Sequence, residues 1–565
     1  MVAPMVTQPQ GSSLQRLAEQ AWERHAGESV LFYEGQRWTG TQLAERSRRA
    51  AGGLRQAGLK PGERVVVCMA NCPEVGITYH AVWRCGAVTT PVLFLLSEEE
   101  LRHVLTDSGA AFIVTTPEFL PKVTAAAAGA VSLRGIVLVG EAPAPTGQPA
   151  PAPTGRPAPA PTGQPAPAPT GQPAPAPTGQ REPGEPPAPP GTPQPSPVLS
   201  FAELEAGPEA EITDSDPTAL AALLYTGGTT GRSKGVMISH EALSSSAWAA
   251  TATSYDETLR SVLLPLPLSH SYGLMVNAMS LHAPTPATSV LMRWFDPAGW
   301  LRLAEQHHVH TSPLVPSMIQ MLLQQPLEEY DLSSLVRVAS GAAPLPQQVA
   351  DDFRKRLPHV EIAEGYGLTE TAAIIATSPA GQARAGSVGK PAPGVELRIE
   401  RRDGSQAGPG EDGEICVRGP MLMTAYWNAP AETAHTMRGG WLHTGDIGRL
   451  DGAGYLYIVD RIKDLIIRGG YNVYPRDVED VLVGHPDAVA AAVVGRPDSK
   501  YGEEIVAFVQ LRQGATVTPA ELIDYARQHL SAVKYPREVR VVDAIPLTSV
   551  LKTDRKRLRA LLAGG

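Results

Sequence analysis

A chain of 565 residues is too long for one hydrophobic core, so two or more domains are expected. Its net charge of −9 leaves no broad basic face, which argues against nucleic acid as a partner. The four cysteines (Cys68, Cys72, Cys85, Cys416) contain no C-x-x-C pair and are expected to be ordinary buried thiols, not a disulfide framework or metal site.

The N-terminal MVAPMVTQPQGSS has neither a charged start nor an apolar run, so no secretory leader is expected. No apolar run reaches membrane-spanning length, and the terminal LLAGG is no address signal. A cytoplasmic protein is the expectation. Ser12 or Ser13 can cap a helix carrying Leu14, Leu17, Ala18, Ala21 and Trp22 on one stripe. Thr39 with Gln42 forms a capping box for a second helix, which Gly58 and Pro61 end. Ser97 with Glu100 forms another box. Between these helices, Val65–Cys68 and Ala111–Thr116 are short apolar runs of the kind buried on both faces. Buried strands alternating with capped helices predict an α/β fold with parallel sheets.

At Glu141 the composition changes. An eight-residue unit recurs five times, from EAPAPTGQ to the last PAPAPTGQ ending at Gln180, and proline-rich sequence continues to Pro197. With almost no large apolar side chain, residues 141–197 are expected to be a disordered, low-complexity insertion. A tolerated surface expansion is favoured over a docking arm for a partner that binds proline-rich ligands.

The apolar Ala219–Tyr225 leads into YTGGTTGRSKGV (Tyr225 to Val236). Gly227, Gly228 and Gly231 permit close backbone approach; Thr226, Thr229, Thr230 and Ser233 offer hydroxyls, and Lys234 a point charge for phosphate. The spacing is not that of the common G-x-x-x-x-G-K-[ST] loop. TGGTTGRSKG resembles instead the phosphate loop of the adenylate-forming enzymes, a superfamily that includes acyl-CoA synthetases. Gly228 stands where serine is common there, and Ser233 where proline is common. Four further segments match in order. SGAAPLP (Ser340 to Pro346), with Gly341, Ala342 and Ala343, resembles the adenine-binding loop, and EGYGLTETA (Glu364 to Ala372) the segment after it. By that resemblance Tyr366 stacks on adenine beside Gly367, Thr369 contacts the α-phosphate, and Glu370 holds Mg²⁺. HTGDIG (His443 to Gly448) supplies Asp446 for the ribose hydroxyls, and DRIKDLIIRGGYNVYP (Asp460 to Pro475) supplies Arg461. Taken singly, Asp446 and Arg461 also read as a surface ion pair, and Tyr366 as a core aromatic.

The resemblance implies a large N-terminal AMP-binding domain, residues 1–462, and a small mobile C-terminal α+β domain, residues 463–565, with Lys463 at the hinge. Gly469 and Gly470 would line the coenzyme A channel after rotation. PLTSVLKTDRKRLR (Pro546 to Arg559) resembles the segment bearing the catalytic lysine, which makes Lys552 that residue, with Leu551 in place of the usual glycine. LPLSHSYGL, ending at Leu274, resembles the acid-pocket segment, with His270 and Tyr272 facing substrate. It lacks the aspartate of amino-acid-activating relatives, so a plain carboxylic acid is expected. QHHVH (Gln306 to His310) could be taken for a metal cluster, but it reads better as a strand start, with His308 and His310 on one face.

The expected function is therefore an ATP-dependent acyl-CoA synthetase using ATP, Mg²⁺ and coenzyme A, with a medium- or long-chain fatty acid as substrate on base rate. The alternatives are an aryl-acid CoA ligase, an acyl-AMP ligase loading a carrier protein, and a weakened enzyme kept as a scaffold.

Overall fold

The computed structural model describes residues 11–141, 196–226, 233–548 and 553–563. Gly227, Gly228, Thr229, Thr230, Gly231 and Lys552, and nearly all of the proline-rich insertion, lie outside the described residues.

The local signals form what they predict. Leu14, Leu17, Ala18 and Ala21 are buried on the helix Leu14–Arg24, although Ser13 precedes it without a side-chain cap hydrogen bond. Both capping boxes close, Thr39 with Gln42 on Gly40–Gln56 and Ser97 with Glu100 on Glu98–Ser108. The four cysteines are free and buried.

Among the described residues the strands form four sheets. An eight-stranded sheet runs in the order Ala425–Tyr426, Lys234–Ser239, Leu220–Thr226, Val88–Pro91, Arg64–Cys68, Phe112–Thr115, Gly135–Leu138, Val198–Ser200. It is parallel from Leu220–Thr226 onward. Strand Arg64–Cys68 is nearly continuous in its burial, as a strand covered on both faces must be. The proline-rich stretch joins two neighbours in this sheet, since Ile136 pairs with Val198 and Leu138 with Ser200.

A nine-stranded sheet has a parallel centre: Glu361–Tyr366, Arg337–Ser340, Thr311–Leu314, Ser261–Leu264, Thr288–Leu291 and Ser29–Tyr33. An antiparallel five-stranded sheet carries Gly413–Arg418, Trp441–Leu450 and Leu456–Arg461. The smaller C-terminal part has its own five-stranded sheet, built on the long hairpin Ala488–Asp498 and Gly502–Leu511, with the helix Pro519–His529 against it. Its core centres on Ile466, Val478, Leu482, Val493, Ile505 and Leu522.

One sequence reading is corrected. The histidines of QHHVH do not start a strand. The helix Pro297–Gln306 ends at His307, His308 takes the left-handed conformation at φ 43°, and the strand begins only at Thr311. His310 is used locally, its Nδ1 accepting from the backbone amides of Arg260 and Ser261 at 3.1 Å each. No helix among the described residues is long and apolar enough to cross a membrane.

Candidate active site

The C-terminal ends of strands from both large sheets open on one continuous cleft of 3150 Å³, which the C-terminal part also lines. Tyr366, Thr369, Glu370, Asp446 and Arg461, drawn from separate segments of sequence, all line it.

The best-defined constellation centres on Asp446. The hairpin of Trp441–Leu450 and Leu456–Arg461 pairs Asp446 directly with Arg461. Arg461 Nε lies 2.9 Å from one carboxylate oxygen of Asp446, and the Tyr366 hydroxyl donates to the other at 2.7 Å. The aspartate side chain is 5% exposed and the arginine 42%, so this is no ordinary surface pair. Burial first, and then the Asp446 charge, hold the Tyr366 phenol well above its usual range. The ring is therefore a neutral face, half-buried against the core and anchored at its hydroxyl.

Beside it, Thr369 and Glu370 occupy a single 3-10 turn, Thr369–Thr371. The backbone there is tight. A Cβ on Gly367 would lie 1.8 Å from the Ala373 carbonyl oxygen, so only glycine fits. Ala372 and Ala373 have φ of 48° and 95°, and Ala342 of the Ser340–Pro346 loop has φ 67°. Such strained residues concentrate at functional sites. The Glu370 carboxylate accepts from the Tyr426 hydroxyl at 2.7 Å, and the Thr369 hydroxyl reaches Ser271 Oγ at 3.5 Å.

The glycine-rich loop joins two antiparallel strands, and Thr226 pairs with Lys234 at its base. Lys234 forms an ion pair with Glu432 and lies 5.6 Å from the Tyr426 ring centroid. Strand Ala425–Tyr426 pairs with Lys234–Ser239, which brings Tyr426 and Glu432 beside Lys234. The sequence reading missed both residues. Their segment carries no local signal, and only strand pairing places it.

On the acid side, His270 caps the helix Ser271–Met279, its Nδ1 accepting from Tyr272 N at 3.2 Å. Tyr272 donates to the Ala339 carbonyl at 3.4 Å and lines the cleft, as does His270. Arg337, also on the cleft, was not singled out, although a charged residue inside the apolar run VRVAS was a visible signal.

Lys463 sits in the 3-10 turn Ile462–Asp464, where burial and the neighbouring Arg461 lower its pKa. Asp464 accepts from Arg559 Nη2 at 3.1 Å, linking the turn to the last helix. Gly469 and Gly470 do not line the cleft in this arrangement. They turn a tight hairpin between Ile466–Arg468 and Tyr471–Val473, with φ of 58° and 82°. Left-handed backbone is therefore sufficient reason for both glycines. Ligand atoms of Glu400, Cys416 and His443 fall within 4.8 Å of one another. Arg398 already pairs with Glu400, and Glu414 lies 2.9 Å from His443 Nδ1, so this is a satisfied polar cluster under the Asp446 strand.

Comparisons with known proteins agree with this architecture. Residues 17–427 match the family of AMP-binding enzymes, and residues 477–552 match the AMP-binding enzyme C-terminal domain. The chain is 33% identical over 551 residues to a long-chain-fatty-acid–CoA ligase of Bacillus subtilis, covering 97% of this chain and 94% of the relative. It is equally 33% identical, over 546 residues, to a feruloyl-CoA synthase of an Amycolatopsis species, covering 94% and 95%. The o-succinylbenzoate CoA synthetase of Bacillus subtilis, solved with its acyl-adenylate intermediate, superposes with a TM-score of 0.78 at 27% identity, covering 98% and 99%. The chain belongs to the AMP-binding, adenylate-forming enzymes and is an AMP-forming ligase of the acyl-CoA synthetase type.

Proposed function

We propose that the chain activates a carboxylic acid with ATP and passes the acyl group to coenzyme A. A carboxylate oxygen attacks the α-phosphorus in line, the bond to the bridging oxygen breaks, and pyrophosphate leaves. The coenzyme A sulfur then attacks the acyl carbonyl, the thiol gives up its proton, and AMP departs. The observation that carries this reading is the convergence of Tyr366 and Arg461 on the Asp446 carboxylate beside Thr369 and Glu370.

In this reading the neutral Tyr366 face takes the adenine, against Gly341, Ala342 and Ala343, and Asp446 accepts from the ribose hydroxyls. Each carboxylate oxygen has lone pairs beyond those used by Tyr366 and Arg461. Thr369 meets the α-phosphate. Thr226 and the loop from Gly227 to Gly231 hold the β- and γ-phosphates, and Lys234 exchanges Glu432 for a phosphate oxygen. Glu370 suits Mg²⁺, being a hard oxygen donor whose present hydrogen-bond partner is neutral, and the ion would offset phosphate charge. Lys552 bridges the carboxylate and α-phosphate during adenylation. Positioning and charge dominate such phosphoryl chemistry.

The domain boundary falls at Lys463, where a turn between two independently cored parts can act as the pivot that trades Lys552 for the coenzyme A channel. The substrate class is a plain carboxylic acid, aliphatic or aryl, since curated relatives of both kinds match equally. Purified protein should release pyrophosphate and AMP only when ATP, Mg²⁺ and an acid are all present. An ADP product would refute adenylation, and absence of acid-dependent ATP–pyrophosphate exchange would favour the scaffold alternative. Comparing free coenzyme A with a holo carrier protein decides the acceptor.

A further inference from the structure

We propose that Arg337 selects the acid by binding an anionic or phenolic oxygen at the end remote from the reacting carboxylate. The chain then takes acids with a polar far end, such as hydroxylated aryl acids, in preference to methyl-ended fatty acids. The proposal rests on the adenylation reading above and narrows its substrate.

The argument begins with sheet register. Strand Arg337–Ser340 lies between Thr311–Leu314 and Glu361–Tyr366, all parallel. Side chains alternate along a strand, so Arg337 and Ala339 share one face with their register partners Thr311, Pro313 and Ala363. All five line the cleft. Towards the nucleotide end the same surface continues as Gly341 and Gly365. A Cβ on Gly341 would stand 3.4 Å from the Tyr272 ring, so that ring lies directly over the strand end. Alanines and glycines on one side and a tyrosine ring on the other make a flat slot. From Gly341 to Arg337 it runs four residues, about 13 Å at strand rise.

Arg337 lines the cleft at the opposite end of this strand from Gly341. The residue is 6% exposed. Its Nη2 donates to the Ser378 carbonyl, and its Nε lies 3.5 Å from Glu361. Among the described residues its Nη1 is buried without a hydrogen-bond partner. A methyl-ended chain in this slot would leave the buried donor unmatched, which is costly, whereas an oxygen would satisfy it with a charge-assisted bond.

The test is ATP–pyrophosphate exchange by the full chain on two matched pairs of acids, 4-hydroxycinnamate with cinnamate and suberate with octanoate. Wild type should favour the oxygen-bearing member of at least one pair by ~10-fold or more in kcat/KM, the scale of a hydrogen bond to a charged group. Preference within the first pair alone identifies a phenol, and within the second alone a carboxylate. Arg337→Met should bring the ratio near one, and Arg337→Lys should keep part of it. A merely structural defect would slow both members of a pair together and leave the ratio unchanged, which would overturn the proposal. Wild-type preference for the methyl-ended or unsubstituted acids would overturn it without any variant. Exchange with no acid at all would instead refute the adenylation reading, and this proposal with it.

Discussion

Asp446→Asn tests the constellation most directly. The substitution keeps the shape of the side chain but removes its charge and replaces one acceptor with an NH₂ donor. In the native site the two carboxylate oxygens take Tyr366 at 2.7 Å and Arg461 at 2.9 Å. The Tyr366 hydroxyl can turn and accept from the new NH₂. Arg461 cannot accept, so the asparagine must turn its oxygen towards the arginine and loses the ionic part of that pair. Because Arg461 is half-exposed, water replaces much of the loss, and the cost to the fold should be on the order of 1 kcal/mol. A nucleotide has no such substitute. If the ribose hydroxyls donate to this carboxylate, losing a charge-assisted acceptor costs about 2 kcal/mol, or ~30-fold in kcat/KM for ATP. Exchange kinetics at varied ATP, paired with thermal unfolding, separate the two effects. An ATP dependence within twofold of wild type would show that Asp446 does not hold ribose. A large loss of melting temperature with unchanged ATP kinetics would return it to a structural ion pair.

Lys552→Ala should slow adenylation by on the order of 10² to 10³ while leaving thioester formation from supplied acyl-adenylate intact. Lys463→Pro should do the reverse, because it fixes φ at the pivot. Loss of the same half-reaction in both variants would refute the hinge. Burial pushes the Glu364 carboxyl from an ordinary 4.5 up to about 7. Between these values the folded chain holds a proton that the unfolded chain has released, so stability is present below the lower value and lost as pH rises to the upper one. Glu364→Gln should flatten that decline and gain on the order of 2–3 kcal/mol relative to wild type above it, measured by denaturant unfolding across pH; an unchanged slope would count against the assignment. Replacing residues 143–195 with a flexible linker of about ten residues keeps the dozen or more that a crossover between the parallel strands at Leu138 and Val198 needs. Exchange activity should stay within about twofold, and a large loss of activity or of folded protein would mean that the insertion packs on the sheet.

Much was legible without coordinates because its causes are local. The capping boxes at Thr39 and Ser97 involve side chains three residues apart and formed as read. The short apolar run Val65–Cys68 between capped helices reads as a doubly covered strand, and all four residues are buried. The five ordered motifs likewise identified the superfamily before the fold was known. What the sequence could not decide depends on register between distant strands. The pattern of QHHVH predicts His308 and His310 on one strand face, but the helix before them runs to Gln306 and the chain turns at His308 instead. Glu432 reaches Lys234 only because Tyr426 pairs with Val236, nearly two hundred positions away. Asp446 is neutralised by Arg461 because a hairpin bulge sets those two residues opposite one another. Arg337 lies beside Thr311 and Glu361 on the cleft side of the sheet only because three parallel strands align these residues. Propensity and capping act within one turn or one strand, whereas a site is assembled by pairing across the sheet, and a one-residue slip there would turn every one of these side chains to the opposite face.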